Sequence, residues 1–381
     1  MSFASEKRTA HSDLVYSGGS HSLMSAQIRV GIAGIRHGHA KTLVKEWREV
    51  DNVQIVAAAD EFESARSLAR DTWSIPKIYE TWQELIDRED LDVVTATLPN
   101  TQHADVVDSV AEIGLPILIE KPMAASLTDA ERMVRATEAA NVPAMVNWPN
   151  LGEAAYEAGV SLISEGVIGH PHQFTFRGGN SIATTKIDQP DWFQWLFKAS
   201  EGGGSWIDYA GYGAIPCLMW MGRPKRMIAQ STTVMDPYAQ ADETATAILE
   251  FENGMGLLQT SHIQVGFAGP QGRMMHIEIN GDEGTLLLKS GDSYGRPWIN
   301  KGELWIYDNK DRINGVHVPT QPQTSEHSTG VAYMAHAIRT GCPIEGRSSF
   351  RFNRELVSII DAGRHAMTSG DAVVVPPAMD C

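Results

Sequence analysis

At 381 residues the chain is long for a single hydrophobic core, so two domains of ordinary size are expected. Its apolar content of 43% is typical of a globular protein, and no run approaches the ~20 consecutive apolar residues that span a bilayer. The net charge of −16, with histidine counted as neutral, disfavours nucleic acids and anionic membranes as partners.

The N-terminal residues and the cysteines indicate the cellular compartment. Residues 1–26 are polar and rich in Ser and His, with no apolar core of a secretory signal. We expect a flexible N-terminal extension there, and an arm that packs on a neighbouring subunit is the alternative. Cys217, Cys342 and Cys381 lie far apart, which indicates neither a disulfide framework nor a zinc site. A reducing compartment, and hence the cytoplasm, is predicted.

Residues 27–147 alternate β-branched runs with segments of helical apolar spacing. The predicted strands are 28–33, 53–59, 93–98, 117–119 and 143–147, and the predicted helices are 40–50, 64–72, 82–88, 103–113 and 127–140. Repeating βα units of this length predict an α/β fold, with a doubly wound parallel sheet of the Rossmann type as the first domain.

The turn after the first strand has the position of a pyrophosphate-binding loop. Its backbone from Gly34 through Ile35, Arg36 and His37 would point N–H groups at a dinucleotide. The usual fingerprint has glycine at the first, third and sixth places, and only Gly34 fits. The Arg36 guanidinium offers charge-assisted hydrogen bonds instead. His37 and His39 are an alternative pair of metal ligands, but the turn has no nearby carboxylate, so no metal site is predicted.

Two acids follow the second predicted strand. Asp60 lies where a carboxylate binds the adenosine ribose diol. Glu61 lies where an NADP enzyme more often has a basic residue for the 2′-phosphate. The pair therefore predicts NAD, with NADP less favoured. Asp60 as an ordinary turn residue is the alternative.

The turns after the later strands complete the predicted cofactor site. They contain Thr97, Leu98, Pro99, Asn100 and His103, and a plain β-to-α connector would look similar. Glu120 and Lys121 follow a buried strand at its carboxyl end, where ligands of open α/β sheets bind. Pro122 biases Lys121 toward an extended backbone that aims its ammonium group. Asn147 ends the next strand and is expected to meet substrate or nicotinamide.

After residue 147 the pattern changes to alternating strands with few crossover helices. These predicted strands are 173–177, 226–234, 244–251, 256–263, 274–279, 284–289 and 303–307. A mostly antiparallel sheet with one open face is expected. The second predicted domain, residues 148–381, is thus an α+β domain.

A helix after the glycine triplet 202–204 carries the remaining candidate catalytic residues. Ser205 is a plausible N-cap, and the helix should end near Gly222. Asp208 and Tyr212 are four residues apart and share one helix face. Pro216 lacks a backbone donor and predicts a kink.

Aromatic and polar residues near the domain boundary are candidates for a carbohydrate-binding surface, although core packing explains aromatic side chains more often. Asn150, Arg177 and Trp192 are predicted to bind substrate. Further candidates are Trp148, Trp195 and Lys198.

Together, Asp60, the turn 97–103, the Glu120-Lys121-Pro122 motif and the glycine triplet with Asp208 resemble the Gfo/Idh/MocA oxidoreductase family. Residues 276–288 and 369–376 fit as well, so the resemblance runs from about residue 27 to about residue 377. The glycine-poor turn at residues 34–39 is the main departure from the family pattern.

The resemblance implies that Lys121, Asp208 and Tyr212 are catalytic. Most of the family has Asp-x-x-x-His where this chain has Asp208-x-x-x-Tyr212, as in its glucose–fructose oxidoreductase and dihydrodiol dehydrogenase branches. In those branches a tyrosine handles the proton and the lysine assists it. A nearby cation such as Lys121 would stabilise the phenolate and make Tyr212 a better base.

The implied activity is NAD-dependent oxidation or reduction of a secondary alcohol of a sugar, glycoside or cyclitol. A homo-oligomer, dimer or tetramer, joined through the open sheet is also implied. Two alternatives stay open: an enzyme whose tightly bound NAD is recycled between two sugars or during glycoside cleavage, and a non-catalytic NAD-binding scaffold.

Overall fold

The computed structural model describes residues 27–149, 154–183, 188–235, 240–264, 275–289, 303–310, 313–320 and 324–379. The predicted N-terminal extension, residues 1–26, and the predicted substrate residue Asn150 lie outside these described residues. Within them the chain forms two sheets, and no helix is both long and apolar enough to cross a membrane.

Six strands form the first sheet: β1 (Ile28–Ala33), β2 (Val53–Ala59), β3 (Ile78–Tyr79), β4 (Val93–Ala96), β5 (Ile117–Glu120) and β6 (Ala144–Asn147). All of their pairings are parallel, and the order is β3-β2-β1-β4-β5-β6. The order reverses between β1 and β4, which opens a crevice at their carboxyl ends. The doubly wound sheet predicted from the sequence is confirmed.

Five helices connect these strands: α1 (Ala40–Glu49), α2 (Glu63–Ser67), α3 (Trp82–Arg88), α4 (His103–Glu112) and α5 (Leu127–Ala140). The predicted helix 64–72 is α2 followed by a π-helical turn, Leu68–Thr72. Helices α3, α4 and α5 cover one face of the sheet, whereas α1 and α2 cover the other. Both faces are therefore apolar, as the β-branched runs of the sequence indicate.

Nine strands form the second sheet: β7 (Pro171–Gly179), β8 (Arg226–Thr232), β9 (Thr244–Phe251), β10 (Gly254–Ser261), β11 (Met275–Gly281), β12 (Gly284–Lys289), β13 (Glu303–Asp308), β14 (Val316–Val318) and β15 (Val373–Val374). Their order is β14-β13-β12-β11-β7-β10-β9-β8-β15. The pairing of β7 with β10 is parallel and the others are antiparallel. The mostly antiparallel second sheet is also confirmed.

Four helices accompany the second sheet: α6 (Ala154–Ser164), α7 (Ser205–Met221), α8 (Gly330–Thr340) and α9 (Phe350–Ser369). Helix α7 packs so closely on β7 that a Cβ atom at Gly213 would lie 2.3 Å from the Phe176 ring. The opposite face carries the exposed side chains of Ile228, Ile248 and Met255. One face is therefore buried under helices, and the other is open.

Helix α8 leaves the second sheet and packs against the first. Its residues Val331, Met334 and Ala335 are buried in the same apolar cluster as Val30 of β1 and Trp47 of α1. The last part of the chain thus completes the core beneath the nucleotide-binding sheet.

Candidate active site

The turn after β1 has the geometry of a cofactor-binding loop although it contains few glycines. Gly34 has φ of 83°, and a Cβ atom there would lie 2.6 Å from Leu98 Cδ2. The Thr97 hydroxyl donates a hydrogen bond to the Gly34 carbonyl at 2.6 Å. These contacts hold the ends of β1 and β4 together beside the crevice at the edge of the sheet.

Asp60 lies at the end of β2 with a buried carboxyl group. Its Oδ2 accepts a hydrogen bond from the Ile35 backbone N–H at 2.8 Å, and its Oδ1 accepts one from Phe62 at 2.9 Å. Burial raises the pKa of this carboxyl above its usual range. Asp60 therefore fixes the cofactor turn as well as lining a cavity of about 290 Å³ beside it.

Arg36 lines the same cavity but its charge is already compensated. Its guanidinium lies 2.7 Å from Glu61 Oε1 and 3.7 Å from Glu201 Oε2, and it stacks over the Phe62 ring at 5.1 Å. The side chain of Arg36 is almost fully buried. Glu61 thus pairs with the cation that was expected to bind the pyrophosphate, and a second cation, Arg66, donates to the Asp60 and Glu61 carbonyl oxygens at 2.7 Å and 2.9 Å.

Asn100 and His103 serve mainly to join loops. The Asn100 amide donates to the Gly202 carbonyl at 2.7 Å, which links the turn after β4 to the glycine triplet of the second half. The His103 ring nitrogens lie 3.0 Å and 3.1 Å from the carbonyl oxygens of Met123 and Leu98. His103 is completely buried between these loops, and Pro99 begins the turn that positions it.

Lys121 and Asp208 bring the two halves of the chain together in one ion pair. Lys121 follows β5, Asp208 lies in the first turn of α7, and the Lys121 Nζ also donates to the Asp208 carbonyl at 3.3 Å. Only 3% of the Lys121 side chain is exposed. Burial opposes ionisation of Asp208, but Lys121 and a neighbouring histidine hold the pKa of this carboxyl well below its usual range.

That histidine is His262, which the sequence analysis missed. Its Nε2 lies 2.9 Å from Asp208 Oδ2, and the ring is 1% exposed. His262 directly follows β10, far from Asp208 in the sequence, so no spacing rule connects the two. Lys121, Asp208 and His262 form a continuous buried polar network at the junction of the two sheets.

Tyr212 lies beside Lys121, as the sequence predicts. The ammonium group of Lys121 is 5.3 Å from the centre of the Tyr212 ring, which packs edge-on against Trp148. The surroundings of Tyr212 work against the predicted stabilisation of its phenolate by Lys121. Burial, followed by the charges of Asp208 and Glu120, raises the pKa of Tyr212 well above its ordinary value. Tyr212 is therefore a protonated phenol at neutral pH.

Glu120 is completely buried and faces the cofactor turn. Its Oε1 accepts from the Asn147 amide at 2.6 Å, and its Oε2 lies 3.1 Å from His39 Nδ1 and 3.9 Å from His37 Nδ1. The argument against His37 and His39 as metal ligands assumed that no carboxylate lies nearby. That assumption is wrong, because the parallel sheet places the carboxyl ends of β1 and β5, which are separated only by β4, at the same edge.

Arg177 does not reach this site within one chain. It alternates along β7 with Phe176, which faces α7, so Arg177 is exposed on the open face of the sheet. The prediction that Arg177 binds substrate therefore has no support from its position.

The aromatic candidates are mostly packing residues. Trp195 donates to the Arg36 carbonyl at 3.0 Å, and its ring lies 5.8 Å from that of His37. Trp192 is half-buried and packs beside Phe193 in the same short segment. Trp148 is buried and donates to Asn353. Lys198, which is partly exposed, pairs with Glu201 at 2.9 Å.

The start of α7 differs from the prediction. Ser205 is the first helical residue and not the N-cap, which is Gly204 with φ of 117°. Asp242 caps the helix from a different loop: its Oδ2 accepts from the Ser205 hydroxyl at 2.6 Å and from the Trp206 N–H at 2.9 Å. The helix runs through Pro216 and ends at Met221, close to the predicted end.

Comparison with known proteins agrees with both halves of the fold. Residues 28–148 match the family model described as "Oxidoreductase family, NAD-binding Rossmann fold", and residues 157–287 match the one described as "GFO/IDH/MocA C-terminal domain". A levoglucosan dehydrogenase, solved in complex with NADH, superposes with a TM-score of 0.72 at 20% identity. The superposition covers 92% of this chain and 99% of that one.

Two curated relatives are named as sugar dehydrogenases. A D-apiose dehydrogenase from Paraburkholderia graminis is 28% identical over 271 residues, which is 70% of this chain and 67% of the relative. A protein named D-xylose 1-dehydrogenase (NADP(+)) 2, from Haloferax volcanii, is 26% identical over 228 residues, or 59% of this chain and 65% of the relative. Because both halves match the family and the fold agrees, the chain belongs to the Gfo/Idh/MocA family of NAD(P)-dependent oxidoreductases.

Proposed function

We propose that the chain is an NAD-dependent oxidoreductase that acts on a secondary alcohol of a sugar, glycoside or cyclitol. The buried Lys121–Asp208 pair carries this proposal, because it joins an amine at the carboxyl end of a Rossmann strand to a carboxylate of the second half. Such a pair is costly to desolvate and is explained by function more readily than by stability. The relatives named as sugar dehydrogenases support the substrate class.

Each residue of the network has a proposed role. A dinucleotide held by Gly34, Ile35 and Asp60 would supply the hydride chemistry. Lys121 hydrogen-bonds the reacting oxygen and polarises it, while Asp208, supported by His262, holds the ammonium group in place. In the reductive direction the protonated Tyr212 phenol donates its proton to that oxygen as the carbonyl carbon gains hydride, which yields the alcohol. Oxidation of the alcohol would require a deprotonated Tyr212, which the raised pKa of this phenol disfavours.

The preference for NAD rests on the acids beside Arg36. A 2′-phosphate would need a basic partner, but the Arg36 guanidinium is neutralised by Glu61 and approached by Glu201. Asp60 and Glu61 add negative charge at the same cavity. We propose that Asp60 binds the adenosine ribose, while Gly34, Ile35 and the following turn bind the pyrophosphate.

We also propose a homo-oligomer joined through the open face of the second sheet. Ile228 and Ile248 are directly paired across β8 and β9, and each is at least 40% exposed. Met255 of β10 extends this apolar surface. Neighbouring exposed apolar side chains on a flat sheet are typical of a protein interface.

A substrate screen tests the proposal directly. Purified protein is first denatured to measure any copurified NAD(H), and is then assayed with sugars, glycosides and inositols for NADH absorbance. We expect turnover with at least one polyol, and a Lys121→Ala variant should lose on the order of 10²–10³-fold in kcat. Unchanged turnover in Lys121→Ala with normal NAD binding would contradict the proposed role. Stoichiometric bound NAD(H) would instead favour a recycled cofactor.

A further inference from the structure

A second group of side chains beside the network has no part in the proposed hydride transfer. The ring nitrogens of His37 and His39 and a carboxylate oxygen of Glu120 all lie within 4.8 Å of one another. Three ligands at about 2.0–2.2 Å from one ion are themselves about 3–4 Å apart, and these atoms need to move little to reach that spacing.

Hydrogen bonding to Glu120 explains the position of His39 but not that of His37. His39 Nδ1 lies 3.1 Å from Glu120 Oε2, which is the distance of an ordinary charge-assisted hydrogen bond. His37 Nδ1 lies 3.9 Å from the same oxygen, which is too far for a hydrogen bond, and it accepts the His39 backbone N–H at 3.1 Å. A second imidazole is thus buried facing a carboxylate to which it is not hydrogen-bonded.

The surroundings hold the carboxylate as the outer shell of a metal site does. Glu120 is completely buried, and the Asn147 amide binds its Oε1 at 2.6 Å, which leaves Oε2 directed at both histidines. The Lys121 backbone N–H also donates to Oε2 at 3.1 Å. Hydrogen bonds of this kind orient ligands before an ion binds.

We propose that His37, His39 and Glu120 bind one divalent transition-metal ion, of which Zn²⁺ is the type that two imidazoles and one carboxylate favour. Three protein ligands leave at least one coordination position for water or for an oxygen of a polyol. The site lies one residue from Lys121, on the first half of the chain. It does not depend on the proposed substrate or on turnover.

Metal titration tests the site without an activity assay. The full chain, prepared without a polyhistidine tag and freed of metal by chelator dialysis, is titrated with Co²⁺, whose visible absorption reports ligand number. We expect one saturable site per chain that Zn²⁺ displaces. His39→Ala should abolish it, and Asn147→Ser should weaken it by about 10–100-fold. His365→Ala, which removes an exposed histidine outside the cluster, should leave it unchanged.

Two controls keep the result interpretable. Circular dichroism and NAD binding are measured on every variant, so that misfolding or a damaged cofactor site is recognised separately. Glu120→Gln retains the shape of the side chain and should lose Co²⁺ binding if the carboxylate is a ligand. Absence of a saturable site in the wild-type chain, or equal Co²⁺ affinity in folded His39→Ala, would overturn the proposal whatever the enzyme activity is.

Discussion

Asp208 contacts two other candidate catalytic groups, Lys121 and His262. It accepts from Lys121 on one oxygen and faces His262 on the other, and it lies one helical turn before Tyr212. The sequence alone predicts Lys121, Asp208 and Tyr212 as candidate catalytic residues, because each lies in a short motif. His262 escapes such reasoning because only the packing of α7 on β10 brings it near Asp208.

Removing one charge of the Lys121–Asp208 pair should be more harmful than removing both. Asp208→Asn leaves a buried ammonium group unpaired, and we expect it to lower the free energy of unfolding by about 3–5 kcal/mol. The double variant Lys121→Met/Asp208→Asn removes both charges and should recover most of that loss. Urea denaturation of Lys121→Met, Asp208→Asn and the double variant measures the coupling free energy between the two side chains.

The activity of the same variants separates stability from function. The kcat of Lys121→Met, Asp208→Asn and the double variant should each fall on the order of 10²–10³-fold, because none of them retains a polarising ammonium group held by a carboxylate. A double variant that recovers both stability and turnover would show that the pair is structural only.

Glu61 should determine how well the protein discriminates against NADP. Its carboxylate pairs with Arg36 at 2.7 Å, so Glu61→Gln frees a guanidinium at the adenosine end of the cavity. We expect kcat/KM with NADP to rise by about tenfold, corresponding to about 1.4 kcal/mol. Glu80→Gln removes an exposed acid from the same cavity without contacting Arg36, and serves as the matched control. An equal gain in both variants would point to general electrostatics rather than to Arg36.

At the level of elements, local pattern predicts the first half well. The predicted helices 82–88 and 127–140 agree with α3 and α5 at both ends, since their apolar spacing is regular. The prediction of Ser205 as the N-cap of α7 is wrong, because Asp242, which accepts from the Trp206 N–H, comes from a distant loop. Helices α8 and α9 were not predicted at all. Their place in the fold is determined by contacts with other elements, which sequence spacing does not reveal.

Helix α1 should make stability depend on pH through Glu46. Burial, followed by the charges of Glu120 and Glu49, raises the pKa of Glu46 from 4.5 to about 7. Between these values the folded state binds more protons than the unfolded state, so the free energy of unfolding falls as pH rises toward 7 and then levels off.

Replacing the Glu46 carboxyl by an amide should remove the free-energy cost of ionising this group in the folded state. Glu46→Gln is expected to stabilise the protein by about 1–3 kcal/mol at pH 8 and very little at pH 5. Urea denaturation at both pH values measures the difference. Glu112→Gln, an exposed acid on α4, is the control and should show little effect at either pH. If Glu46→Gln raised the free energy of unfolding equally at pH 5 and pH 8, the ionisation mechanism would be excluded.

At the level of the whole molecule, the two sheets share structural support. Helix α8 lies between β14 and β15 of the second sheet in the chain, yet it is buried against β5, β6 and α1 of the first half. Helix α9 likewise packs on α5 as well as on α7 and β8. The predicted division near residue 147 is therefore a change of sheet, while the hydrophobic contacts continue across it.

Met334 should couple the stability of the two halves. It is fully buried in the cluster that contains Val30 and Trp47. Met334→Ala is expected to lower the free energy of unfolding by about 2–5 kcal/mol and to lower the melting temperature of the Rossmann sheet together with that of the second sheet. Calorimetry should show one shifted transition. Thr340→Ala at the exposed end of α8 is the control, and two separated transitions in Met334→Ala would contradict the coupling.

The position of α8 has a consequence for how the protein is made. The nucleotide-binding sheet leaves the ribosome first, but one of its apolar faces stays partly uncovered until residues 331–335 are synthesised. A nascent or prematurely terminated chain therefore exposes apolar surface to solvent. Binding by a chaperone matters most before residues 331–335 have been synthesised. Expression of the first half by itself should for the same reason give aggregates.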